Sequence, residues 1–264
     1  MQSGPPSAGR FAFAYLSACA GAVCKIQCRN MQAVILAAGR GARMEEFTTA
    51  IPKAMVTLLG RPLLDYKFEV MPIEIDEVIV VVGYFGDVII NRYGGEYGGK
   101  RITYVQQNVL DGTAGALWVA KDLLRNRFLV MMGDDLYPPT DVQKCVDVNE
   151  GWAVLVQQEV GGMHRAGSVE LDEKANVSRI VEGEAGEGGG LACTNLFNLD
   201  MRIFSQPLIP KQAGSLEFGL PQTAIAAAQA LDIPLRPLFT TDWVQINAPG
   251  DLAKATEILS KMGR

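Results

Sequence analysis

Ala33-Val34-Ile35-Leu36-Ala37-Ala38-Gly39-Arg40-Gly41-Ala42-Arg43-Met44 is the stretch on which the fold class turns. Its first five residues form an unbroken apolar run. A strand with one face in water would alternate instead, so the run predicts a strand buried on both faces, as in a parallel sheet covered by helices. Gly39 and Gly41 then break the run and turn the chain. Working outward, Glu77–Val82 (EVIVVV), Phe128–Met132 (FLVMM) and Ala153–Gln157 repeat the apolar pattern, and Ile102–Gln106 alternates. Helical periodicity fills the gaps at Pro62–Val70, Asp87–Arg92, Thr113–Leu124 and Asp141–Asn149. A βαβαβαβ order with right-handed crossovers gives an α/β fold. We expect a Rossmann-like three-layer α/β/α sandwich around a mixed, mostly parallel central sheet.

The second half is less regular. Ser168–Leu171 and Val177–Val181 read as short strands around a turn at Asp172–Ala175, and Glu182–Gly190 (EGEAGEGGG) reads as a loop. Leu191–Asn198 reads as a returning strand. Pro221–Ala230 is a helix with proline in its first turn, and Asp251–Met262 a closing helix. No repeat or linker interrupts the chain from Met31, so residues 31–264 read as one domain. Residues 1–30 do not match it: a Gly/Pro/Ser-rich opening precedes an apolar stretch, Phe11–Val23. A signal peptide is one reading; a non-core extension ahead of a natural start at Met31 is the other, and the expected one.

Composition narrows the function. Across 264 residues the chain is 48% hydrophobic, with a net charge of −5. That charge disfavours general nucleic-acid binding, and no apolar run is pure enough to span a membrane. The five cysteines include no CxxC pair, which suits free thiols in a reducing cytoplasm. The sole histidine, His164, lies in a glycine-containing stretch, which argues against a zinc site or a histidine-based hydrolase.

Four segments carry chemistry. Gly39 and Gly41 let the backbone approach a phosphate, and Arg43 adds a forked cation, although a tight strand-to-helix turn would use the same glycines. The loop lacks the third glycine of a dinucleotide fingerprint and the GK[ST] of a Walker loop. Lys53, after Pro52, offers a point charge or a solvated surface lysine. Gln107 has the donor and acceptor that reading a base edge requires. Gly112 permits close approach at a helix start, where Thr113 would cap the helix or touch a phosphate. Gly133-Asp134-Asp135 follows a buried strand, so Asp134 reads as a hard-cation ligand or as a turn carboxylate.

In this order the segments resemble the sugar-phosphate nucleotidyltransferase family, which implies a sheet of the nucleotide-diphospho-sugar transferase type. Leu36, Gly39, Gly41, Arg43, Thr48, Pro52 and Lys53 fit the pattern LxxGxGTRLxPLTxxxPK without a gap. Gln107–Ala116 is similar to Q-x(4)-G-T-A, and Gly133-Asp134 to the GD metal motif. Val177–Glu182 is similar to V-x-x-I-x-E-K-P, Glu217–Ala224 to E-x-x-L-T-D-A, and Trp243–Leu252 to W-x-D-I-x-T-P-x-D-L. The resemblance implies a cytoplasmic enzyme joining an NTP to a sugar 1-phosphate, with Mg²⁺, and releasing pyrophosphate. Leu36, Ala38, Gly39, Gly41, Gln107, Gly112 and Thr113 would hold the nucleotide, and Arg43 and Lys53 would stabilise reacting phosphates. Asp134, with Gln245 or Asn247, would bind Mg²⁺. Glu182, Asn195 and Glu217 would contact the sugar. A homo-oligomer is compatible with this reading; nucleic-acid and membrane partners are not expected.

The Gln107-to-Gly112 spacing matches uridylyl and thymidylyl members and favours UTP or dTTP, whereas GTAGAL at Gly112–Leu117 also resembles mannose-1-phosphate guanylyltransferases. The chain departs from the pattern at Ala42 (a Thr), Gly183 (the E-K-P lysine), Pro221 and Gln222 (the T-D pair) and Gln245 (an Asp). Those losses keep a second class open: a degenerate paralogue that binds nucleotide or nucleotide sugar in a regulatory role. A glycosyltransferase of related fold would need a D-x-D motif, which Asp134-Asp135 is not.

Overall fold

A computed structural model describes residues 31–158, 167–181 and 190–261. The expected extension 1–30, His164 and Glu182 lie outside the described residues. The chain runs β1 (Met31–Leu36), α1 (Glu45–Thr48), β2 (Thr57–Leu58), β3 (Arg61–Pro62), α2 (Leu63–Val70), β4 (Ile75–Val82), α3 (Gly86–Tyr93), β5 (Glu96–Tyr97), β6 (Lys100–Gln106) and α4 (Thr113–Val119). It continues through β7 (Arg127–Met132), α5 (Pro139–Val146), β8 (Trp152–Gln158), β9 (Ser168–Leu171), β10 (Val177–Val181), β11 (Leu191–Asp200), α6 (Leu220–Ala230), β12 (Leu235–Thr240) and α7 (Pro249–Lys261).

The apolar run that opened the sequence lies at the centre of a ten-stranded mixed sheet. β1 pairs in parallel with β4 on one side and β7 on the other, so Val34 stands opposite both Ile79 and Val130. β6 extends the parallel block beyond β4. β11 then runs antiparallel to β7 and also pairs with β8 and β9. Side-chain alternation divides the core. Val34 and Leu36 pack with Leu117 of α4 and Ala224 of α6, while Ala33 and Ile35 pack with Leu64 of α2, Ile89 of α3 and Val142 of α5. These are the three layers expected. Gln32 is the polar exception in β1 and is fully buried. Its amide is satisfied by Glu77, the Leu123 carbonyl and the Arg125 N–H, as buried polar groups require.

Boundaries moved where local geometry overrode periodicity. The helix expected over Thr113–Leu124 ends at Val119 and gives way to a tighter turn over Lys121–Leu123. The helix expected over Asp141–Asn149 is shifted to Pro139–Val146, with a proline at its start. β12 was not anticipated, because Pro237 interrupts its pattern. Among the described residues it pairs only with β8, and an edge strand tolerates a residue with no N–H. β11 shifts register between Cys193 and Phe197, where Asn195 takes a left-handed φ of 58°.

Candidate active site

A cleft of about 610 Å³ lies at the carboxyl ends of β1, β6 and β7, where open α/β sheets bind ligands. Its walls are drawn together by glycines. Gly133 donates its N–H to the Leu36 carbonyl at 3.0 Å. A side chain at Gly83 would strike the Ala38 carbonyl at 2.6 Å. Gly39 has open space around its α-carbon, and Gly41 holds a left-handed φ of 67°. A β-carbon on Gly41 would lie 2.9 Å from Lys53 Cβ, so the glycine makes room for the lysine stem. The Thr48 hydroxyl donates to the Met44 carbonyl at 3.1 Å and lies 3.4 Å from that of Gly41. Thr48 therefore ties the loop together from behind.

The charged centre of the cleft joins residues far apart in sequence. Lys53 Nζ is ion-paired with Asp134 Oδ2 and also donates to Asn247 Oδ1 at 3.4 Å. Arg43 Nη2 donates to the same Asn247 oxygen at 3.2 Å. Asn247 is fixed in turn by Asp251, whose Oδ2 accepts the Asn247 and Ala248 N–H groups at 2.7 and 2.8 Å. The sequence reading set Asp251 in the Trp243–Leu252 segment and at the start of a helix, and gave it no role in the site. Its position two residues after Pro249 was the available signal, because a carboxylate in a helix's first turn meets unpaired N–H groups. Gln245 lines the cleft, but its side chain makes no hydrogen bond among the described residues.

Behind Asp134 lies a buried polar cluster that the sequence reading missed. Asp135 is 2% exposed and Lys67 is fully buried. Trp243 Nε1 donates to Asp135 Oδ2 at 3.3 Å. Lys67 Nζ stands 4.9 Å from the Tyr137 ring centre and has no hydrogen-bond partner among the described residues. Burial pushes the Asp135 carboxyl up, and the neighbouring Asp134 adds to this. Burial pulls the Lys67 ammonium down, opposed by the negative charge of Asp135. Helical spacing could have flagged Lys67: it follows Leu63 by four residues and Leu64 by three, which sets it on the apolar face of α2.

At the other end of the cleft lie Gln107, Gly112 and Thr113. Gln107 is 5% exposed, and its Nε2 donates to Asp111 Oδ1 at 2.9 Å and to the Gly112 carbonyl at 3.2 Å. Its donor is therefore already engaged within the protein. Gly112 has a φ of 101° and begins α4 without a side-chain cap. The Thr113 hydroxyl does not cap that helix; it accepts the Leu220 N–H at the start of α6, at 2.9 Å. Asn195 and Glu217 also line the cleft, joined by Lys211, whose N–H bonds the Glu217 carbonyl at 2.8 Å. Lys211 was not anticipated, because its surrounding loop carries no motif. Leu36 and Ala38 line the cleft as well.

Among the described residues no group of three or more His, Cys, Asp or Glu side chains could hold a metal ion. Among them, too, no helix is long and apolar enough to cross a membrane.

Comparison with known proteins agrees with this geometry. The model of the family described as nucleotidyl transferase matches residues 32–206. The chain is 28% identical over 222 residues to the UTP–glucose-1-phosphate uridylyltransferase AglF of Haloferax volcanii, covering 82% of this chain and 88% of that protein. It is 29% identical over 174 residues to the bifunctional protein GlmU of Methanocaldococcus jannaschii, covering 66% of this chain but 41% of that longer protein. The fold matches the structure of an inositol-1-phosphate CTP transferase from T. maritima with a TM-score of 0.68 at 21% identity, over 88% of this chain and 96% of the other.

Proposed function

The chain belongs to the nucleotidyl transferase family as a sugar-phosphate nucleotidyltransferase, and from that membership we propose that it joins UTP or dTTP to a sugar 1-phosphate. The observation that carries the proposal is a single cleft holding both the base-facing residues, Gln107 and Gly112, and the charged group Arg43, Lys53, Asp134 and Asn247. The sugar phosphate oxygen attacks the α-phosphorus, the α–β bridging bond breaks, and pyrophosphate leaves. No covalent enzyme intermediate is needed, so the protein's work is to align two anions and offset the charge that builds on them.

In this reading the Gly39–Gly41 backbone and Arg43 hold the triphosphate, and Lys53 lies against the α-phosphate. Asn195 and Glu217 meet the sugar hydroxyls. Lys211, beside them on the cleft wall, grips the sugar phosphate, a task the E-K-P lysine would take were it not replaced by Gly183. Glu182 completes the sugar contacts as a proposal from sequence. A divalent ion such as Mg²⁺ fits the donor set: the Asp134 carboxylate and the Asn247 amide oxygen already converge on one cation, the Lys53 ammonium. Hard oxygen donors suit Mg²⁺, which commonly binds through one carboxylate with the rest of its shell from phosphates and water. Bound there, it would neutralise triphosphate charge.

The test is pyrophosphate release from the full chain with Mg²⁺, each of the four ribonucleoside triphosphates and dTTP, and a panel of sugar 1-phosphates. The expected result is release that needs both a sugar phosphate and UTP or dTTP. Release with GTP alone would move the assignment to a guanylyltransferase, and no release with any pair would overturn it.

A further inference from the structure

Asp134 and Asn247, the two side chains that would hold a divalent ion, lie on separate segments, and a buried contact ties those segments together. Leu136 and Val244 exchange both main-chain hydrogen bonds, at 2.9 and 3.1 Å, in an isolated antiparallel bridge. Among the described residues no further ladder bond follows on either side, so this pair alone would leave the segments free to pivot. Asp135 restrains them. It is the diagonal neighbour of Trp243 across the bridge, a spacing that an aromatic side chain can span. Its Oδ2 accepts the indole N–H at 3.3 Å.

Trp243 is a firm anchor for that bond. It is 4% exposed, belongs to the core that holds Met131 and Tyr137, and donates its main-chain N–H to Gln157 Oε1 of β8 at 3.0 Å. Asp135 reaches the floor of the cleft yet is itself buried, and Lys67 of α2 sets a counter-charge within electrostatic reach. Lys67 is fully buried too, and its Nζ has no hydrogen-bond partner among the described residues. Two buried charges are a costly way to fill this space, and apolar side chains of similar volume often stabilise a core better. What the carboxylate adds, and a leucine could not, is an acceptor aimed at the indole.

We propose that Asp135 is a positioning residue for the divalent ion: its bond to Trp243 sets the spacing between Asp134 and Asn247, and Lys67 balances its charge from behind. This inference rests on the reading of Asp134 and Asn247 as donors to that ion, and adds what holds them apart at the right distance. Asp134 is tied on one side by the Gly133 N–H to the Leu36 carbonyl and on the other by the bridge with its indole strut. Without the strut the Asn247 segment keeps its fold but loses its register against Asp134. Partners that orient metal donors in this way are worth about tenfold to a hundredfold in metal affinity.

The test is Mn²⁺ titrated calorimetrically into the full chain with UTP present, and UTP titrated without metal. Lys67→Met with Asp135→Asn and Lys67→Met with Asp135→Leu carry the same charge and nearly the same volume, and differ in the acceptor offered to the indole. The Asn pair should bind Mn²⁺ within about threefold of wild type, and the Leu pair about tenfold or more weakly. Both should bind metal-free UTP as wild type does. Trp243→Phe, which removes the donor and leaves both charges, should match the Leu pair and add no further loss when combined with it. If the Leu pair does not fold, Trp243→Phe decides alone. Equal Mn²⁺ affinity in the Asn and Leu pairs, or wild-type affinity in Trp243→Phe, overturns the proposal. So does an equal loss of metal-free UTP binding, which would mark a general collapse of the cleft. A wild type that binds no Mn²⁺ removes the metal reading and the proposal together. If the Asn and Leu pairs differ as expected while no pyrophosphate is released, the nucleotidyltransfer reading fails and the positioning role stands.

Discussion

Gly41→Ala separates the backbone role of the opening loop from its role in placing Lys53. At φ 67° an alanine costs about 1–2 kcal/mol relative to an unstrained backbone. For a chain of this size that lowers Tm by about 2–4 °C per kcal/mol. The second effect is steric. The new β-carbon would lie 2.9 Å from Lys53 Cβ and 3.1 Å from its Cγ and Cδ, whereas apolar carbons rest about 3.5–4.0 Å apart. The stem must therefore retreat by on the order of half an ångström to one ångström, which pulls Nζ off Asp134 and Asn247. A displacement of that size at a reacting centre costs about tenfold to a hundredfold in rate. Thermal unfolding and pyrophosphate-release kinetics on Gly41→Ala, Lys53→Ala and the double variant give the answer. The stability loss should appear with either residue at position 53. The rate loss should appear only when Lys53 is present, because once the lysine is gone there is nothing left to displace. If Gly41→Ala slowed turnover equally in both backgrounds, the loop's contribution would not run through Lys53 and the reasoning would fail.

Two further outcomes follow from the same geometry. Lys67→Met removes the larger of the two ammonium charges acting on the buried Asp135 carboxylate, which keeps its Trp243 bond and the weaker pull of Lys53, so denaturant unfolding should register a loss of about 2–4 kcal/mol. Lys67→Met with Asp135→Asn removes both charges, keeps an acceptor for the indole and should recover most of that loss; a double variant no more stable than the single one would show that the two residues are not coupled. Lys211→Ala should raise the KM for the sugar 1-phosphate by about tenfold, the size of one charge-assisted bond, with the KM for the nucleotide unchanged, and a rise in both would show that Lys211 does not discriminate between the two anions.

How much of this could be read from the sequence depended on whether the signal was local. The central strands were legible because Ala33–Ala37, Glu77–Val82 and Phe128–Met132 are apolar throughout, and only a doubly covered strand has use for that. The loop glycines and Asp134 stood out because they follow such strands directly. Lys67 was legible in its spacing from Leu63 and Leu64 on α2, but its partners Asp135 and Tyr137, some seventy residues on, were not. Asp111 was hidden for a related reason: beside Gly112 it looks like a turn residue, and only packing against Gly115 gives its carboxylate a direction. Thr113 shows the limit from the other side. Its position invited a cap, but the competing donor, Leu220, is more than a hundred residues away, and no local pattern could supply it.

The pairing of Asn247 with Asp134 bears on the departure that made turnover hardest to read from sequence. Gln245 and Asn247 are both amides, two residues apart, near the place where the family pattern has an aspartate. Sequence alone offers no way to choose between them. In the structure Asn247 is held from both sides, by Asp251 at its N–H and by Arg43 and Lys53 at its oxygen, and that oxygen shares a cation with Asp134. Gln245 has no such support. If Asp134 and Asn247 are the protein's donors to a divalent ion, the site carries one formal charge and draws the rest from the triphosphate. Mn²⁺ titrated calorimetrically in the presence of UTP should therefore bind Asn247→Ala more weakly and leave Gln245→Ala near wild type. Asn247→Asp adds a carboxylate and should tighten binding, by less than a free carboxylate would, since Arg43 and Lys53 compete for the same charge. Loss of Mn²⁺ binding in Gln245→Ala, with Asn247→Ala unaffected, would place the second donor at the position of the missing aspartate after all.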